Sequence, residues 1–527
     1  MCTGENFEKF GYRLVSFIAL WSDIFLPFYL PLYCFIIEIE KYIIILLKEI
    51  MMRQTKIICT LGPCEENQDV LLALCGIMDV ARFNFSHGSH ESHLEMLQNL
   101  RKAAAVVGRP IAAMLDTKGP EIRTGLLVNH QPIPLLAGHS IILTTQECVG
   151  TEERVYINYD EVTKDIRVGH QILIDDGLIE LKVEKVDGNN IHCRIINGGE
   201  LGERKGVNIP DIPIRLPALT EKDKEDLQFG IKEGFDFIAV SFVRNAECIE
   251  EIRNIITAAH SSMKIIAKIE SKEGVAHFDD IVTAADGIMI ARGDLGVEVD
   301  SKKLPQLQKE FIKKCNYEGK IVITATQMLD SMIRKPRPTR AEVTDVANAI
   351  NDGTDALMLS GETANGKYPI EAATMMASIA EYTEQFLEHN LFRYREMVQN
   401  IYDSVSNTTC RATVTAAHEL HAKAIIAHTL SGHTALLLSK YRPDVPIYAF
   451  APNETVIHQM MLFWGVHPIL APYYSSTDNL FDRSIDMMKS LHHIRSNDIC
   501  VVTAGVSSKK MQQLQGAATN ILRIMQA

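Results

Sequence analysis

The chain has 527 residues, of which 46% are hydrophobic and 23% are charged, the balance of a soluble globular enzyme with roughly three domains. The formal net charge of -13 argues against a nucleic-acid backbone as the main partner, because a polyanion is bound by basic surfaces. The 11 cysteines are scattered and include no CxxC pair. This argues against a disulfide framework or a zinc site and predicts a reducing compartment, the cytoplasm.

Residues 1–52 differ in character from the rest of the chain. The run 14–37 carries only Asp23 as a charge and is long enough to span a bilayer, but Pro27 and Pro31 interrupt it. Three interpretations stay open: a membrane anchor, an apolar docking or targeting segment, or an extension that is not part of the functional protein. We favour the third, because a strand-like run follows the segment directly, and we expect no membrane attachment.

From residue 53 onward, short apolar runs alternate with helical patterns, and this alternation implies parallel strands joined by βα units. The runs lie at residues 56–60, 80–85, 111–115, 237–242, 265–269, 288–291, 321–326 and 356–360. Eight such units predict an α/β fold of the TIM-barrel type, a (β/α)₈ barrel formed by residues 53–120 and 220–388.

Two further domains are predicted on either side of the second barrel segment. Residues 121–219 contain short strands with the turn signals "DDG" and "DGNN", which indicates a small inserted β-barrel domain in the third βα loop, where it can act as a lid. Alternation resumes in residues 389–527, which predicts a C-terminal α/β domain. Its candidate strands lie at residues 422–429, 445–452, 467–472 and 498–505.

Polar residues follow almost every predicted barrel strand, at the end of the barrel where active sites of this fold gather. They are Arg82, Asn84, Ser86, Asp116, Thr117, Lys118, Ser241, Lys268, Glu270, Arg292, Asp294, Thr326, Gln327, Ser360 and Glu362. Each one alone could be structural, but so many on one rim above a closed core predict a polar site.

Lys268 and Glu270 lie two residues apart on one strand and therefore share a face. They could form a simple ion pair. Alternatively, Glu270 joins Asp294 of the next strand as a pair of Mg²⁺ ligands, and Lys268 with Arg82 forms a cation clamp for a transferring phosphoryl group. We expect Gly293 to allow close approach of a ligand, with a short helix after it whose free N–H groups receive an anion.

A second cluster offers oxygen ligands with a single charge. Asn84, Ser86, Asp116 and Thr117 fit a site for a monovalent cation, or a hydrogen-bonded network that ties two strands together; spacing alone leaves both interpretations open.

The order of several motifs resembles that of pyruvate kinases, over about residues 53–527. The motifs are "ARFNFSHG", "MLDTKGPEIRTG", "KGVNIP", "LPALTEKD", "AKIES", "IMIARGDLGVEV", "ATQMLDSMIRKPRPTRAEVTDVANAI" and "DALMLSGETANGKYP". The resemblance implies a phosphotransferase that moves the phosphoryl group of phosphoenolpyruvate to ADP, with Mg²⁺ and K⁺ as cofactors. It also implies a homotetramer.

The resemblance also implies a role for each matching residue. Lys268 and Arg82 would contact the phosphoryl group, Glu270 and Asp294 would bind Mg²⁺, and Thr326 would lie near the route of enolate protonation. Gly293 and the backbone of Asp294 would receive the substrate carboxylate. The implied K⁺ ligands are Asn84, Ser86, Asp116 and Thr117. The implied nucleotide-side residues are Asn84, His87, Arg123 and Lys205, and Glu121 is similar to the residue of K⁺-dependent members.

Some positions differ from the family pattern. Ser271 stands where Asn is usual, and His433 stands where a basic Arg is common. The C-terminal tail lacks the usual Gly-rich loop, so we leave the effector open, although Ser431, Gly432 and Thr434 could bind a phosphate.

Two other functions compete with the kinase: a Mg²⁺-dependent lyase that acts on pyruvate or oxaloacetate, and a membrane-tethered binding protein.

Overall fold

The computed structural model describes residues 53–210, 212, 216–387, 405–474, 476–505 and 519–527. The predicted N-terminal extension, 1–52, lies outside the described residues, and so does the predicted domain boundary at 388/389. Within the described ranges, no helix has the length and apolar character needed to cross a membrane.

The barrel begins with three parallel strands and two helices. They are β1 (Lys56–Leu61), α1 (Gln68–Cys75), β2 (Val80–Asn84), α2 (His90–Val107) and β3 (Ala112–Asp116). Every residue of β1 and β3 is buried, as expected for parallel strands covered on both faces. Helix α2 starts at a capping box of Ser89 and Ser92 and ends at Gly108, whose φ of 70° favours glycine.

The inserted segment forms two small sheets around a core of its own. Its elements are β4 (Ile133–Leu135), β5 (Ser140–Thr144), β6 (Arg154–Tyr156), α3 (Val162–Asp165), β7 (Gln171–Ile174), β8 (Ile179–Asp187), β9 (Asn190–Asn197), β10 (Gly199–Leu201) and β11 (Val207–Asn208). One sheet has the order β11-β7-β8-β9-β5-β6, and the other pairs β10 with β4. Alternate residues such as Leu181 and Val183 are buried in a cluster separate from the barrel core. We refer to this segment as the lid.

The chain then returns to complete the barrel. The elements are α4 (Glu221–Glu233), β12 (Phe237–Val240), α5 (Ala246–Ala258), β13 (Lys264–Ile269), α6 (Lys272–Ala276), α7 (Phe278–Ala284), β14 (Gly287–Ala291), α8 (Arg292–Glu298), α9 (Leu304–Glu318), β15 (Ile321–Ala325), α10 (Arg340–Asp352), β16 (Ala356–Leu359), α11 (Gly361–Ala364) and α12 (Pro369–Glu384). The eight strands close in the order β1-β16-β15-β14-β13-β12-β3-β2. All neighbouring pairs are parallel, so the predicted (β/α)₈ barrel is confirmed.

Along the barrel strands, the inward-facing side chains change from apolar in the lower part to polar at the C-terminal ends of the strands, which we call the upper layer. Inward-facing side chains in the lower part of the barrel are Ile58, Met114, Ala239, Ile266, Met289, Ile323 and Met358. Residues two positions later on a strand face the same way. On β1, β2, β3 and β13 these residues are Thr60, Arg82, Asp116 and Lys268. The period-two pattern therefore puts two cations and one carboxylate over the sealed apolar core.

The C-terminal unit is a five-stranded sheet flanked by helices. Its elements are α13 (Val405–Glu419), β17 (Ala424–His428), α14 (His433–Lys440), β18 (Ile447–Ala451), α15 (Glu454–Met460), β19 (Val466–Leu470), α16 (Thr477–Ser490), β20 (Ile499–Ala504) and β21 (Ile521–Gln526). The sheet order is β19-β18-β17-β20-β21. The four predicted strands are present and parallel. The antiparallel edge strand β21 was not predicted.

Because the His428 side chain is largely buried, we predict that the C-terminal unit loses stability in acid. Its Nε2 lies 2.6 Å from Ser484 Oγ, and burial lowers the pKa of His428 to about 4. The unfolded chain takes up this proton below about pH 6.5 whereas the folded chain does not. Stability is therefore expected to be complete above that pH and to fall by roughly 3 kcal/mol as the pH falls towards the folded pKa.

Urea unfolding between pH 7.5 and pH 4.5, followed by the fluorescence of buried Trp464, measures this loss. His428→Gln is expected to flatten the pH dependence, whereas replacement of exposed His421 in the same unit leaves it unchanged. An equally steep loss of stability in His428→Gln would contradict the assignment.

Candidate active site

Lys268 is the centre of a buried ionic cluster in the upper layer of the barrel. Its Nζ lies 3.0 Å from Asp116 Oδ1 and 3.0 Å from Glu270 Oε1, and it donates a 2.7 Å hydrogen bond to Ser241 Oγ. Arg82 Nε donates to the other Asp116 oxygen at 2.6 Å. The simple pair of Lys268 and Glu270 is thus part of a larger network, in which Asp116 orients both cations.

Charge and burial set the pKa values of this cluster. Burial by itself would raise the pKa of Asp116, but the charges of Arg82 and Lys268 outweigh it and lower that pKa. Burial would likewise lower the pKa of Lys268, but Asp116 and Glu270 raise it. The ammonium group therefore stays charged although its side chain is only 10% exposed, which suits it to stabilise a second anion.

The charged forms of the other two carboxyl groups, Glu270 and Asp294, are not fully compensated by neighbouring cations. Burial raises the pKa of Glu270 to about 7, against the opposing effect of Lys268 and with the help of Asp294. Burial also raises the pKa of Asp294, against the effect of Lys268, and the lid residue Asp176 and Glu121 add to the rise. Two buried acidic groups whose charged forms are disfavoured in this way fit a hard divalent cation, which prefers carboxylate oxygen.

The protein supplies only part of a coordination shell. Glu270 Oε2 accepts a 2.6 Å hydrogen bond from the Phe242 N–H, which fixes its orientation. Across the described ranges, no group of three or more Asp, Glu, His or Cys side chains is arranged to hold a metal ion. A hard cation bound by Glu270 and Asp294 would need further oxygen ligands from outside the protein to complete its shell.

The segment after β14 differs from the expectation for Gly293. The helix begins at Arg292 instead of after Gly293 and has seven residues. The Gly293 N–H donates to Thr326 Oγ1 at 2.7 Å, and the Thr326 hydroxyl donates to Ala325 O at 2.7 Å. In this conformation the Gly293 amide is therefore engaged by a neighbouring hydroxyl. Binding of an anion by Gly293 and the Asp294 backbone stays a prediction.

Arg292 holds the loop after β15, which contains Thr326 and Gln327, through hydrogen bonds to its backbone. Its guanidinium group is buried and donates to Thr326 O and to Asp345 Oδ1, both at 2.8 Å, and to Ala325 O at 3.2 Å. Thr326 and Gln327 have φ values of 65° and 54°, which are unfavourable for residues with a Cβ and costly for a β-branched one. Of the two roles weighed for Arg292, these contacts favour loop orientation.

The proposed K⁺ ligands lie on neighbouring strand ends. Asn84 and Asp116 are register partners on β2 and β3, and Asn84 Oδ1 accepts a 3.2 Å hydrogen bond from the Ser86 N–H. Thr117 Oγ1 accepts from the Ser241 N–H at 3.1 Å. The four residues are thus brought together, and their contacts fit both a cation site and the hydrogen-bonded network considered above.

A cleft of about 600 Å³ lies between the lid and the barrel. Its polar lining residues include Glu121, Arg123, Asp175, Asp176, Lys205, Asn208, Ser271, Lys272, Glu273, Asp294 and Glu298. Of the four predicted nucleotide-side residues, Arg123 and Lys205 line the cleft, whereas Asn84 and His87 do not.

Within the cleft, lid cations are held by acidic neighbours. Arg123 Nε lies 2.6 Å from Glu121 Oε2, and Lys205 Nζ lies 2.9 Å from Asp175 Oδ1. In the sequence, Asp175 and Asp176 were recognisable only as a hairpin signal, and their place in the cleft was not predicted. Both have positive φ values, which Asp tolerates better than most residues, so the turn was recognisable but its direction was not.

Two departures from the family pattern have distinct structural settings. Ser271 caps α6 by accepting a hydrogen bond from the Gly274 N–H at 3.1 Å, a role that Ser and Asn share. Burial and nearby Lys264 lower the pKa of His433, so the substitution for Arg removes a permanent cation.

The candidate effector residues lie at the start of α14. Gly432 is the N-cap with a φ of 83°, and Ser431 is exposed. The Thr434 hydroxyl is buried and lies 2.7 Å from Thr519 Oγ1. Binding of a phosphate there stays a prediction.

The chain matches known proteins over most of its length. Residues 52–373 match the family described as pyruvate kinase, barrel domain, and residues 407–525 match pyruvate kinase, alpha/beta domain. A pyruvate kinase from Geobacillus stearothermophilus is 48% identical over 464 residues, which cover 86% of this chain and 78% of the relative. A pyruvate kinase from Clostridium acetobutylicum is 45% identical over 479 residues, covering 90% and 99%.

A solved structure gives the same result. A pyruvate kinase from Cryptosporidium parvum aligns with a TM-score of 0.84 and 39% identity, over 90% of this chain and 96% of that chain. At this identity and coverage, the resemblance noted from the motifs is confirmed, and the chain belongs to the pyruvate kinase family.

Proposed function

We propose that the cluster around Lys268 carries out phosphoryl transfer, with Mg²⁺ and K⁺ as cofactors. The reaction follows from the family: the phosphoryl group of phosphoenolpyruvate passes to ADP, which gives pyruvate and ATP in the final step of glycolysis. The observation that carries the assignment is the buried Lys268 ammonium group between Asp116 and Glu270. A cation that is held charged in a dry site can stabilise a transferring phosphoryl group strongly.

Lys268 and Arg82 bind and orient the phosphoryl group in this proposal. Asp116 holds both cations on one side of the barrel mouth, so that little reorganisation is needed when charge moves in the transition state. Arg82 also donates to Thr60 Oγ1 at 3.0 Å, which fixes the plane of its guanidinium group. Ser241 steadies Lys268 from a third direction.

Glu270 and Asp294 would hold Mg²⁺, which when bound supplies Lewis-acid stabilisation of the enolate oxygen. The raised pKa values of both carboxyl groups support this assignment, because a cation is what their charged forms need. The K⁺ ligands would be Asn84, Ser86, Asp116 and Thr117. Glu121, which lines the same cleft as Asp294, matches the K⁺-dependent members by motif.

Thr326 would act near the carbon that receives the final proton. Its hydroxyl accepts from Gly293 N–H and donates to Ala325 O. To pass a proton towards substrate it must turn away from that carbonyl. We therefore assign Thr326 to substrate contact and to orientation of the protonation route.

The lid would contribute the ADP side and exclude water. Arg123 and Lys205 reach the cleft from the lid, and Asn208 Nδ2 donates to Glu298 Oε1 on α8 at 3.0 Å. Closing the cleft would favour ADP over water as the acceptor. We further propose a homotetramer and a cytoplasmic location.

A coupled assay of pyruvate formation tests the proposed function. The purified protein is expected to turn over phosphoenolpyruvate only when ADP and Mg²⁺ are both present, and the rate is expected to fall when Na⁺ replaces K⁺. Turnover without nucleotide would favour the lyase, and folded protein without any turnover would contradict catalysis. Equal rates in Na⁺ and K⁺ would remove K⁺ from the proposal.

A further inference from the structure

The two linkers of the lid meet at one buried carboxylate. The chain leaves the barrel after β3 through Gly119 and returns through Thr220 to α4. Asp223, in the first turn of α4, is fully buried. Its Oδ1 accepts a hydrogen bond from the Gly119 N–H at 3.1 Å. Its Oδ2 accepts from the Thr220 N–H at 2.9 Å and from the Thr220 hydroxyl at 2.6 Å.

Half of this arrangement is an ordinary helix cap. Thr220 and Asp223 form a capping box, in which the Asp223 N–H donates to Thr220 Oγ1. A capping box uses only the oxygen that faces Thr220. The bond to Gly119, which is 104 residues away in sequence, lies outside the requirements of the helix and needs another explanation.

The outgoing linker is also pressed against the catalytic cluster. Gly119 has a φ of +71°, and a Cβ at this position would lie 2.8 Å from the Ser241 Cβ, so both conformation and space require glycine. Ser241 donates to Thr117 O at 2.7 Å and accepts from Lys268 Nζ at 2.7 Å. The point where the lid leaves the barrel is therefore fixed relative to the phosphoryl-binding cation.

We propose that Asp223 is a positioning residue for phosphoryl transfer, because its carboxylate ties both lid linkers to one point about which the lid closes. This inference rests on the proposed function, in which the lid carries the ADP-side residues Arg123 and Lys205. Without the hydrogen bond from the Gly119 N–H to Asp223, the first linker gains conformational freedom beside Ser241. The lid then reaches the site in a wider range of orientations, and misplacement of a reacting group by about 1 Å can cost roughly 100-fold in rate.

The consequence should be specific to the nucleotide side. Lys268, Arg82 and Asp116 make no hydrogen bond to Asp223 and keep their own contacts. Binding of phosphoenolpyruvate with Mg²⁺ should therefore change little. The KM for ADP should rise and kcat should fall, a combination that a general loss of stability does not produce.

The test compares Asp223→Asn with Asp226→Asn. Asp226 is a matched control because it is a fully buried carboxylate on the same helix, 2.6 Å from His90 Nε2, and has no lid contact. In Asp223→Asn we expect kcat to fall roughly 10-fold to 100-fold and the KM for ADP to rise severalfold, while the dissociation constant of phosphoenolpyruvate stays within about twofold. Asp226→Asn should keep wild-type kinetics.

A second variant distinguishes the capping box of α4 from the hydrogen bond between Asp223 and Gly119. Asp223→Glu preserves the usual Thr-x-x-Glu capping box but moves the carboxylate, so we expect α4 to stay capped while the Gly119 amide exchanges faster with deuterium. Hydrogen exchange is measured by mass spectrometry on the unliganded proteins and needs no turnover. It would still test the tie if the proposed reaction failed in the wild-type protein.

Two results would overturn the proposal. One is unchanged exchange at both Gly119 and Thr220 in both Asp223 variants, which would mean that the two carboxylate oxygens do not hold the two linkers. The other is faster exchange at Gly119 with wild-type kcat and wild-type KM for ADP, which would mean that holding the linker does not serve catalysis.

Discussion

Replacement of Lys268 by methionine is expected to lower kcat by roughly 1,000-fold, because it removes a preorganised cation from the proposed position of the phosphoryl group. Methionine keeps most of the length of the side chain, so the space is filled. The ammonium group is the only part that is lost. Steady-state rates of pyruvate formation measure the effect directly.

The variant should still fold, because the partners of Lys268 keep other contacts. Asp116 retains the 2.6 Å bond from Arg82, and Glu270 retains the hydrogen bond from the Phe242 N–H. Lys264→Met is a matched control: it lies on the same strand with the same alternation, but at the opposite end and 3.7 Å from Asp286. Wild-type rates in Lys268→Met would remove Lys268 from the mechanism.

Glu270→Gln is expected to weaken Mg²⁺ binding by at least roughly 100-fold, because it replaces one of the two proposed anionic ligands by a neutral amide. The shape of the side chain is unchanged, and the amide oxygen can still accept from the Phe242 N–H. Isothermal titration with Mg²⁺ in the presence of phosphoenolpyruvate measures the affinity without turnover. The rate at low Mg²⁺ should fall in parallel.

A half-buried glutamate, Glu384, provides the control for this change. Glu384 also accepts two backbone hydrogen bonds, from the N–H groups of Gln54 and Thr55 at 2.8 and 2.7 Å. It lies beside the start of β1, at the opposite end of the barrel. Glu384→Gln should keep the Mg²⁺ affinity, whereas equal affinity in Glu270→Gln and the wild-type protein would contradict the metal assignment.

The sequence was sufficient for the barrel and for the rim of its site. Apolar runs of four to six residues, each followed by a helical pattern, can bury both faces only as parallel strands between helices. The same period-two argument put Lys268 and Glu270 on one face, and their contact confirms it. The strand β21 was not predicted because it is an edge strand in which none of the six residues is buried, so its apolar residues do not alternate regularly with polar ones.

The alternation of side chains along each strand determined which residues point into the barrel, because each strand carries that information in its own short sequence. Only the tertiary structure decided which of them meet. Asp116 and Lys268 are 152 residues apart, and their contact depends on how the barrel closes. The shared cleft position of Asp176 and Asp294, the support of the Thr326 loop by Arg292 and the hydrogen bonds of Asp223 to both linkers depend on packing between distant segments. Local periodicity does not encode such packing.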